Sequence, residues 1–331
     1  MLEIASNSYA KGTLRLVVGC GYVGERVAIR WKNRGDCVLA VTRSEEKAQR
    51  FASLGLHPVV WDWRGSEDPV PRFLDTLGRM GLTRSALVER LATILISVSH
   101  AVAPGVSPEM NHVLGLQQLS AGLRELGSAG RWIYLSTTGV FAESSSGVDC
   151  DETSDVAPTR PGSIAAYAGE RWMSGSGLEH VILRPCGIYG PDRVPNLTAL
   201  QRGEVLEIDP DSTLNLIHVE DLVQVIDAVA LGPLKRSLYC VCDGRSPTRG
   251  EYYRWIAQRM GWPEPRFVVP TSSEFHSSGR LVTGGEASGE HRIGSSPRRR
   301  SQGNKRVRVE RLLADYGISF LYPSYQDGLS H

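Results

Sequence analysis

Three glycines at fixed spacing stand directly behind the apolar run 14–18, in the order Gly19-Cys20-Gly21-Tyr22-Val23-Gly24. Residues of this type at this spacing are suited to holding a diphosphate. Gly19 permits a tight turn, Gly21 lets the backbone approach a pyrophosphate, and Gly24 lets the next helix pack closely on the strand. The following segment, 22–34, reads as a helix. Its partly positive N-terminus, with the amides around Tyr22 and Val23, faces the anion. The spacing alone is weak, because glycine turns arise by chance. With a strand before it, a helix behind it and a second apolar run at 37–41, it becomes the opening of a dinucleotide-binding βαβ unit.

Further candidates stand where the next strands end. In such units an acid about 20 residues past the glycines often holds a ribose 2′-hydroxyl and selects NAD. Here the second strand closes on Val41-Thr42-Arg43-Ser44 instead. Arg43 can pair with a 2′-phosphate, with Thr42 and Ser44 as added donors, which points to NADP, with NAD as the alternative. The competing reading of Arg43 is an ordinary surface arginine. Ser97-Val98-Ser99 closes the fourth strand, and in an open parallel sheet ligands lie at strand C-termini.

The elements that position these groups follow from periodicity. Short apolar runs at 14–18, 37–41, 58–61, 93–98, 132–135 and 181–184 alternate with helix-like stretches. One of these, 111–126, carries Val113, Leu116, Leu119 and Leu123 at helical spacing. Such alternation predicts an α/β fold, a Rossmann-type doubly wound parallel sheet covered by helices on both faces.

The 331 residues suffice for one large α/β domain or two smaller ones, and a net charge of +1 gives no push toward nucleic acid or a membrane surface. No apolar run reaches the roughly 18 residues needed to span a bilayer. Six cysteines, at 20, 37, 150, 186, 240 and 242, form no C-x-x-C pair. Buried thiols in a reduced, cytoplasmic protein fit this pattern better than metal ligands or disulfides. Residues 1–13 read as a frayed tail. Residues 271–303 are rich in Ser, Gly and Arg and read as a mobile loop. Residues 304–316 suggest a short amphipathic helix. The basic cluster of Arg298, Arg299, Arg300, Lys305, Arg306 and Arg308 reads as a solvated charged loop rather than a nucleic-acid surface.

Six ordered segments together resemble the short-chain dehydrogenase/reductase superfamily, in its extended and atypical members of the NAD-dependent epimerase/dehydratase type. They are VVGCGYVGERVA (17–28), VTRSEEKA (41–48), YLSTTGVF (134–141), ILRPCGIYGPDR (182–193), LIHVEDLV (216–223) and the tail 304–329. The resemblance implies a dinucleotide-binding domain over 14–185 and 215–242, and a small, mainly C-terminal substrate lobe over 186–214 and 243–329. It also implies hydride transfer on a small polar substrate, such as a sugar or sugar nucleotide. A homodimer stays open.

The resemblance further assigns roles. Asp62 matches an aspartate that contacts adenine, with a loop-capping Asp as the competing reading. Ser97, Val98, Ser136 and Pro185 flank the cofactor. Thr137 takes the place of the hydroxyl that orients substrate. In the family a Tyr-x-x-x-Lys helix carries the proton, and lowering a tyrosine pKa from about 10 toward 7 takes roughly 4 kcal/mol from a nearby cation. Here Tyr167 and Arg171 read literally as Tyr-x-x-x-Arg, one helix face apart. The spacing of Glu170 and Arg184 argues for another register, in which Gly162 and Ala166 hold the two slots. Tyr167 then lies about 140° around the helix from its slot. The two readings compete as an active enzyme with a departed motif and a dinucleotide-binding sensor or scaffold without catalysis. Arg184 is expected to bind substrate or, more simply, to brace Asp221, and His218-Val219-Glu220-Asp221 to be architectural, without a metal.

Overall fold

The computed structural model describes residues 12–65, 67–127, 129–142, 147–194, 197–269 and 304–330. Most of the expected N-terminal tail, the loop expected over 271–303, and Arg298 to Arg300 lie outside the described residues.

Seven strands form the main sheet: β1 (Leu14–Val18), β2 (Cys37–Thr42), β3 (His57–Val60), β4 (Leu91–Ile96), β5 (Arg131–Leu135), β6 (His180–Pro185) and β7 (Leu238–Val241). Their order across the sheet is β7-β6-β5-β4-β1-β2-β3, and every pairing is parallel. This is the doubly wound arrangement, extended by one strand at β7. The strands are apolar almost throughout because both faces are covered, and alternate residues feed separate cores. Leu14, Leu16 and Val18 join a layer with Phe73, Leu116, Leu119 and Trp132. Val17 joins the opposite layer with Val27, Trp31, Leu222 and Ile226. Arg15 points into that second layer, where it is 4% exposed. It bonds Asp36 and Thr93, at 2.6 Å each, and lies over the Trp31 ring, so the charge is matched.

The strand order reverses between β1 and β4. There the Ser97 amide donates to the Val18 carbonyl at 2.8 Å, joining the two C-terminal ends at the mouth of the crevice where ligands lie in such sheets.

A third core builds the smaller lobe from Tyr189, Leu206, Leu214, Leu216, Tyr252, Tyr253, Ile256 and Tyr325. Its helix Arg249–Met260 starts with a complete capping box between Thr248 and Glu251 and ends on left-handed Gly261. The tail is strapped onto the lobe. Both Asp221 carboxylate oxygens accept tail amides, from Leu321 at 2.6 Å and Tyr322 at 3.0 Å, and the Tyr189 hydroxyl donates to the Ser324 carbonyl.

The tail segment departs from its expected form. The helix expected over 304–316 is a strand, Lys305–Val307, followed by a shorter helix, Glu310–Tyr316. The strand pairs in parallel with Val148–Cys150, burying Lys305 and Val307 and leaving Arg306 exposed. A period of two overrides the helical spacing because Val307 and Val309 pack into the main core. Among the described residues no helix is long and apolar enough to cross a membrane.

Candidate coenzyme and substrate site

The turn after β1 uses each glycine differently. Gly19 has φ +91°, and a Cβ there would stand 2.5 Å from the Ser97 carbonyl oxygen. Gly24 opens the helix Gly24–Asn33, where a Cβ would meet the Gly19 carbonyl at 2.4 Å and Val17 Cγ1 at 3.2 Å. A Cβ on exposed Gly21, in contrast, would meet nothing within 4 Å. Two glycines therefore serve packing, while the third leaves open space above the N-terminus of a helix that no side chain caps. This is the form a pyrophosphate cradle takes, and these residues fit the group.

Around this turn, Val23 is buried and Cys20 turns inward toward the Val17 carbonyl. The Tyr22 hydroxyl donates to the Pro191 carbonyl at 2.8 Å, and its ring lies beneath Arg26 and Arg193. Tyr22 thus ties the glycine turn to the loop behind β6, while its amide remains in the turn.

At the far side of the crevice, Arg43 is exposed beside Asp62, with a nearest separation of 3.9 Å, and Arg64 lies on the same carboxylate at 3.7 Å. The Thr42 hydroxyl accepts from the Ser44 amide, and the Ser44 hydroxyl caps the helix Glu45–Ser53 through the Lys47 amide. Both hydroxyls spend acceptor capacity locally and keep a proton to donate. Ser97 and Val98 are half-buried on the β1–β4 side of the crevice.

The next part of the site lies past β5. Thr137 caps a short 3-10 turn by accepting from the Gly139 amide at 3.1 Å. Ser136 is 1% exposed and donates to Glu170 at 2.5 Å. Glu170 in turn accepts two bonds from Arg184, at 2.9 and 2.7 Å, and Arg184 lies over the Phe141 ring. Arg184 was expected to brace Asp221. It pairs with Glu170 instead, because the tail amides already take both Asp221 oxygens. Pro185 is buried, and its carbonyl lies 3.5 Å from the Thr138 hydroxyl.

The helix Pro161–Gly175 does not join Tyr167 to Arg171. Tyr167 is half-buried, Arg171 is exposed, and neither makes a hydrogen bond or ion pair among the described residues. Gly162 and Ala166 face the sheet. A Cβ on Gly162 would stand 2.9 Å from the His100 carbonyl, and the Ala166 carbonyl lies 3.1 Å from the Tyr134 hydroxyl. A Cβ on Gly169 would stand 2.3 Å from the same hydroxyl, so this helix approaches β5 too closely for larger residues.

Several residues here escaped sequence reasoning. His100 stacks on His112 at 5.1 Å and contacts the Leu135 carbonyl through Nε2. His112 sits between the Tyr134 hydroxyl and the Ser99 carbonyl. Burial lowers both imidazoles, His100 to about 4 and His112 to about 3. Both are neutral near pH 7, so His112 Nε2 donates to Ser99 while Nδ1 accepts from Tyr134. Arg160, Ser163 and Lys305 also come to this corner, the last donating to the Thr138 carbonyl at 2.9 Å. Only a histidine two residues past a strand end, and an arginine at a helix start, signal any of this locally.

The remaining groups are architectural. The His218 ring accepts from the Glu220 amide through Nδ1, packs at a tilt against Tyr322, and is lowered to about 4 by burial. All six cysteines are buried free thiols. Burial raises Cys20, Cys186 and Cys240, which suppresses thiolate chemistry. Among the described residues no group of His, Cys, Asp and Glu is arranged to hold a metal.

Comparison with known proteins agrees with this architecture. Protein YeeZ of Escherichia coli K12 is 26% identical over 155 residues, 46% of this chain and 54% of YeeZ. A short-chain dehydrogenase/reductase family 42E member 1 of Danio rerio is 29% identical over 108 residues, 29% of this chain and 28% of that protein. The chain thus spans about half the length, or less, of these curated relatives. Among solved structures, a functionally unknown conserved protein from Silicibacter pomeroyi superposes with TM-score 0.69 at 23% identity, over 96% of this chain and 97% of that one. UDP-glucose 4-epimerase of Thermotoga maritima, solved with UDP-glucose, gives 0.67 at 17% identity over 96% of both chains. At these identities the likeness is one of fold. The family model for NAD dependent epimerases and dehydratases matches residues 15–235. This match runs from β1 to the end of the helix Val219–Leu231 and covers the glycine turn, Thr137 and the Glu170–Arg184 pair, so the chain belongs to the NAD dependent epimerase/dehydratase family.

Proposed function

We propose that this protein is a nicotinamide-coenzyme oxidoreductase or epimerase acting on a small polar substrate, with NADP preferred over NAD. The observation that carries the reading is Gly21. It is the one glycine of the turn whose missing side chain serves no packing among the described residues, and its open side lies at the switch point of the sheet. The amides of the 19–24 turn hold the diphosphate, apart from that of Gly21, which donates to the Gly19 carbonyl at 2.8 Å. Arg43 takes a 2′-phosphate, with Thr42 beside it, and Asp62 lies near the adenine. Ser97 and Val98 flank the crevice, and Ser136 and Pro185 support its nicotinamide end. When bound, the coenzyme supplies hydride transfer. Thr137 donates a hydrogen bond to the substrate, with one of its acceptor lone pairs used by the Gly139 amide. Tyr167 and Arg171 are the remaining candidates for proton handling on the helix. A cytoplasmic setting agrees with six free thiols.

A second reading is a dinucleotide-binding sensor or scaffold that has lost catalysis. It is favoured by Gly162 and Ala166 in the slots of the family tyrosine and lysine. Fluorescence titration with both coenzymes, followed by turnover with carbonyl compounds and sugar nucleotides, separates the two. The enzyme reading expects binding and turnover that falls in Thr137→Ala. Binding without turnover of any panel member favours the sensor. Absence of binding overturns both.

A further inference from the structure

The start of the helix Pro161–Gly175 carries a cluster of donors that no acceptor among the described residues satisfies. Beside Gly139, three polar atoms converge on one point. Ser163 Oγ lies 2.7 Å, Arg160 Nη2 3.1 Å and Thr137 Oγ1 3.4 Å from the position a Gly139 Cβ would occupy. A guanidinium only donates. Thr137 already accepts from the Gly139 amide, so its proton is what it has to offer. Ser163 is 5% exposed, and its hydroxyl makes no hydrogen bond among the described residues.

Arg160 is half-buried and forms no ion pair among the described residues. Glu170 on the same helix cannot serve it, being held bidentately by Arg184. A cation partly withdrawn from water without a carboxylate is costly unless an anion comes to it. The backbone adds to the attraction. Arg160 is the N-cap of a 15-residue helix but makes no side-chain cap bond, and Pro161 follows at the first turn. The positive end of the helix therefore lies at the same corner. Lys305 adds charge to the same turn through its bond to the Thr138 carbonyl.

We infer that Arg160, Thr137 and Ser163 form a carboxylate-binding corner, so that the substrate is an acid whose carboxylate stands next to the carbon exchanging hydride, as in a 2-oxo or 2-hydroxy acid. The inference rests on the proposed coenzyme reading for its mention of hydride, but the anion site itself does not. A planar guanidinium fork flanked by two hydroxyls suits the planar carboxylate. Gly139 lets the three groups come this close together, because a Cβ there would collide with Ser163 Oγ at 2.7 Å and press on Arg160 Nη2 and Thr137 Oγ1.

The test is calorimetric titration of oxalate, and separately of inorganic phosphate, into the full-length protein with and without saturating NADP. Oxalate is expected to bind at millimolar concentration or below. Arg160→Gln weakens it about tenfold or more, the loss expected for one charge-assisted hydrogen bond. Arg160→Lys restores part of the binding, since it keeps the charge and loses the fork. Both variants retain native coenzyme affinity, which shows that they are folded. No oxalate binding, equal binding by Arg160→Gln, or preference for phosphate over oxalate overturns the inference. Arg160-dependent oxalate binding by a protein that binds no coenzyme refutes the coenzyme reading alone. Coenzyme binding without oxalate binding refutes the corner alone.

Discussion

The three glycines of the first turn make separable predictions, because the structure gives them different neighbours. At Gly21 a new side chain meets no protein atom within 4 Å, and the residue is absent from the positive-φ set that includes Gly19. Gly21→Val should therefore change unfolding free energy by no more than about 0.5 kcal/mol, as for an unconstrained surface site. Its branched side chain instead occupies the space through which amides reach a diphosphate. Loss of one charge-assisted hydrogen bond costs about 1.5–3 kcal/mol, which weakens the dissociation constant by about 10- to 150-fold. Gly24→Ala behaves oppositely. Its methyl collides with the Gly19 carbonyl at 2.4 Å, a backbone group that cannot swing away. Such overpacking costs about 1–3 kcal/mol, offset by less than about 1 kcal/mol of helix propensity. Urea denaturation and coenzyme titration on the same preparations provide the two readouts. The reasoning fails if Gly21→Val unfolds as easily as Gly24→Ala, or if its coenzyme affinity stays within about twofold of the parent.

Three further perturbations probe other parts of the site. Glu170→Ala leaves Arg184 buried without its partner and Ser136 without its acceptor, and should destabilise the fold by about 3–5 kcal/mol. Urea denaturation reads this, and a change under about 1 kcal/mol would contradict the assigned pairing. Arg43→Ala should remove most of an NADP preference of about tenfold or more, leaving NAD affinity unchanged; equal affinities in the parent protein refute the role of Arg43. Burial raises the Asp243 carboxyl from 3.8 to about 7, so the folded protein holds a proton there that the unfolded chain has released. Stability is therefore lost as pH rises through that window. Asp243→Asn keeps an acceptor for the Arg245 amide and should gain on the parent by on the order of 4 kcal/mol from the low to the high end of the window. A pH-independent difference between the two denaturation curves would refute it.

What could be read in advance divides along the range of the physical cause. The sheet was legible because continuous apolar runs record burial on both faces, a local consequence of a global arrangement. Strand ends differ by a residue or two from expectation, and only Lys305–Val307 changed type. Its partner Val148–Cys150 lies far away in sequence, and valines two apart fit either a short strand or one turn of helix. The glycine turn was legible for the same reason as the sheet, since Gly19 and Gly24 answer to steric demands within a few residues and one neighbouring strand. The corner beside Gly139 was not. Arg160, Ser163, Thr137 and His100 come from a helix start and two strand ends, and no spacing marks their convergence. The partner of Arg184 was likewise a tertiary outcome, settled when the tail amides took Asp221.

That same settlement limits what the corner can do. Glu170, on the helix that Arg160 begins, is already engaged by Arg184 and Ser136. The imidazoles that line it are neutral, lowered to about 4 and about 3 by burial. What remains at the helix start is a guanidinium, two hydroxyls and a nearby ammonium, each with a proton to donate and two of them cationic. A site of this composition is poor at removing a proton and good at holding negative charge, whether a carboxylate in the ground state or an oxygen that gains charge as hydride arrives. Under the proposed enzyme reading, the corner acts by electrostatic stabilisation rather than proton transfer, with the Arg160 guanidinium as its fixed positive charge.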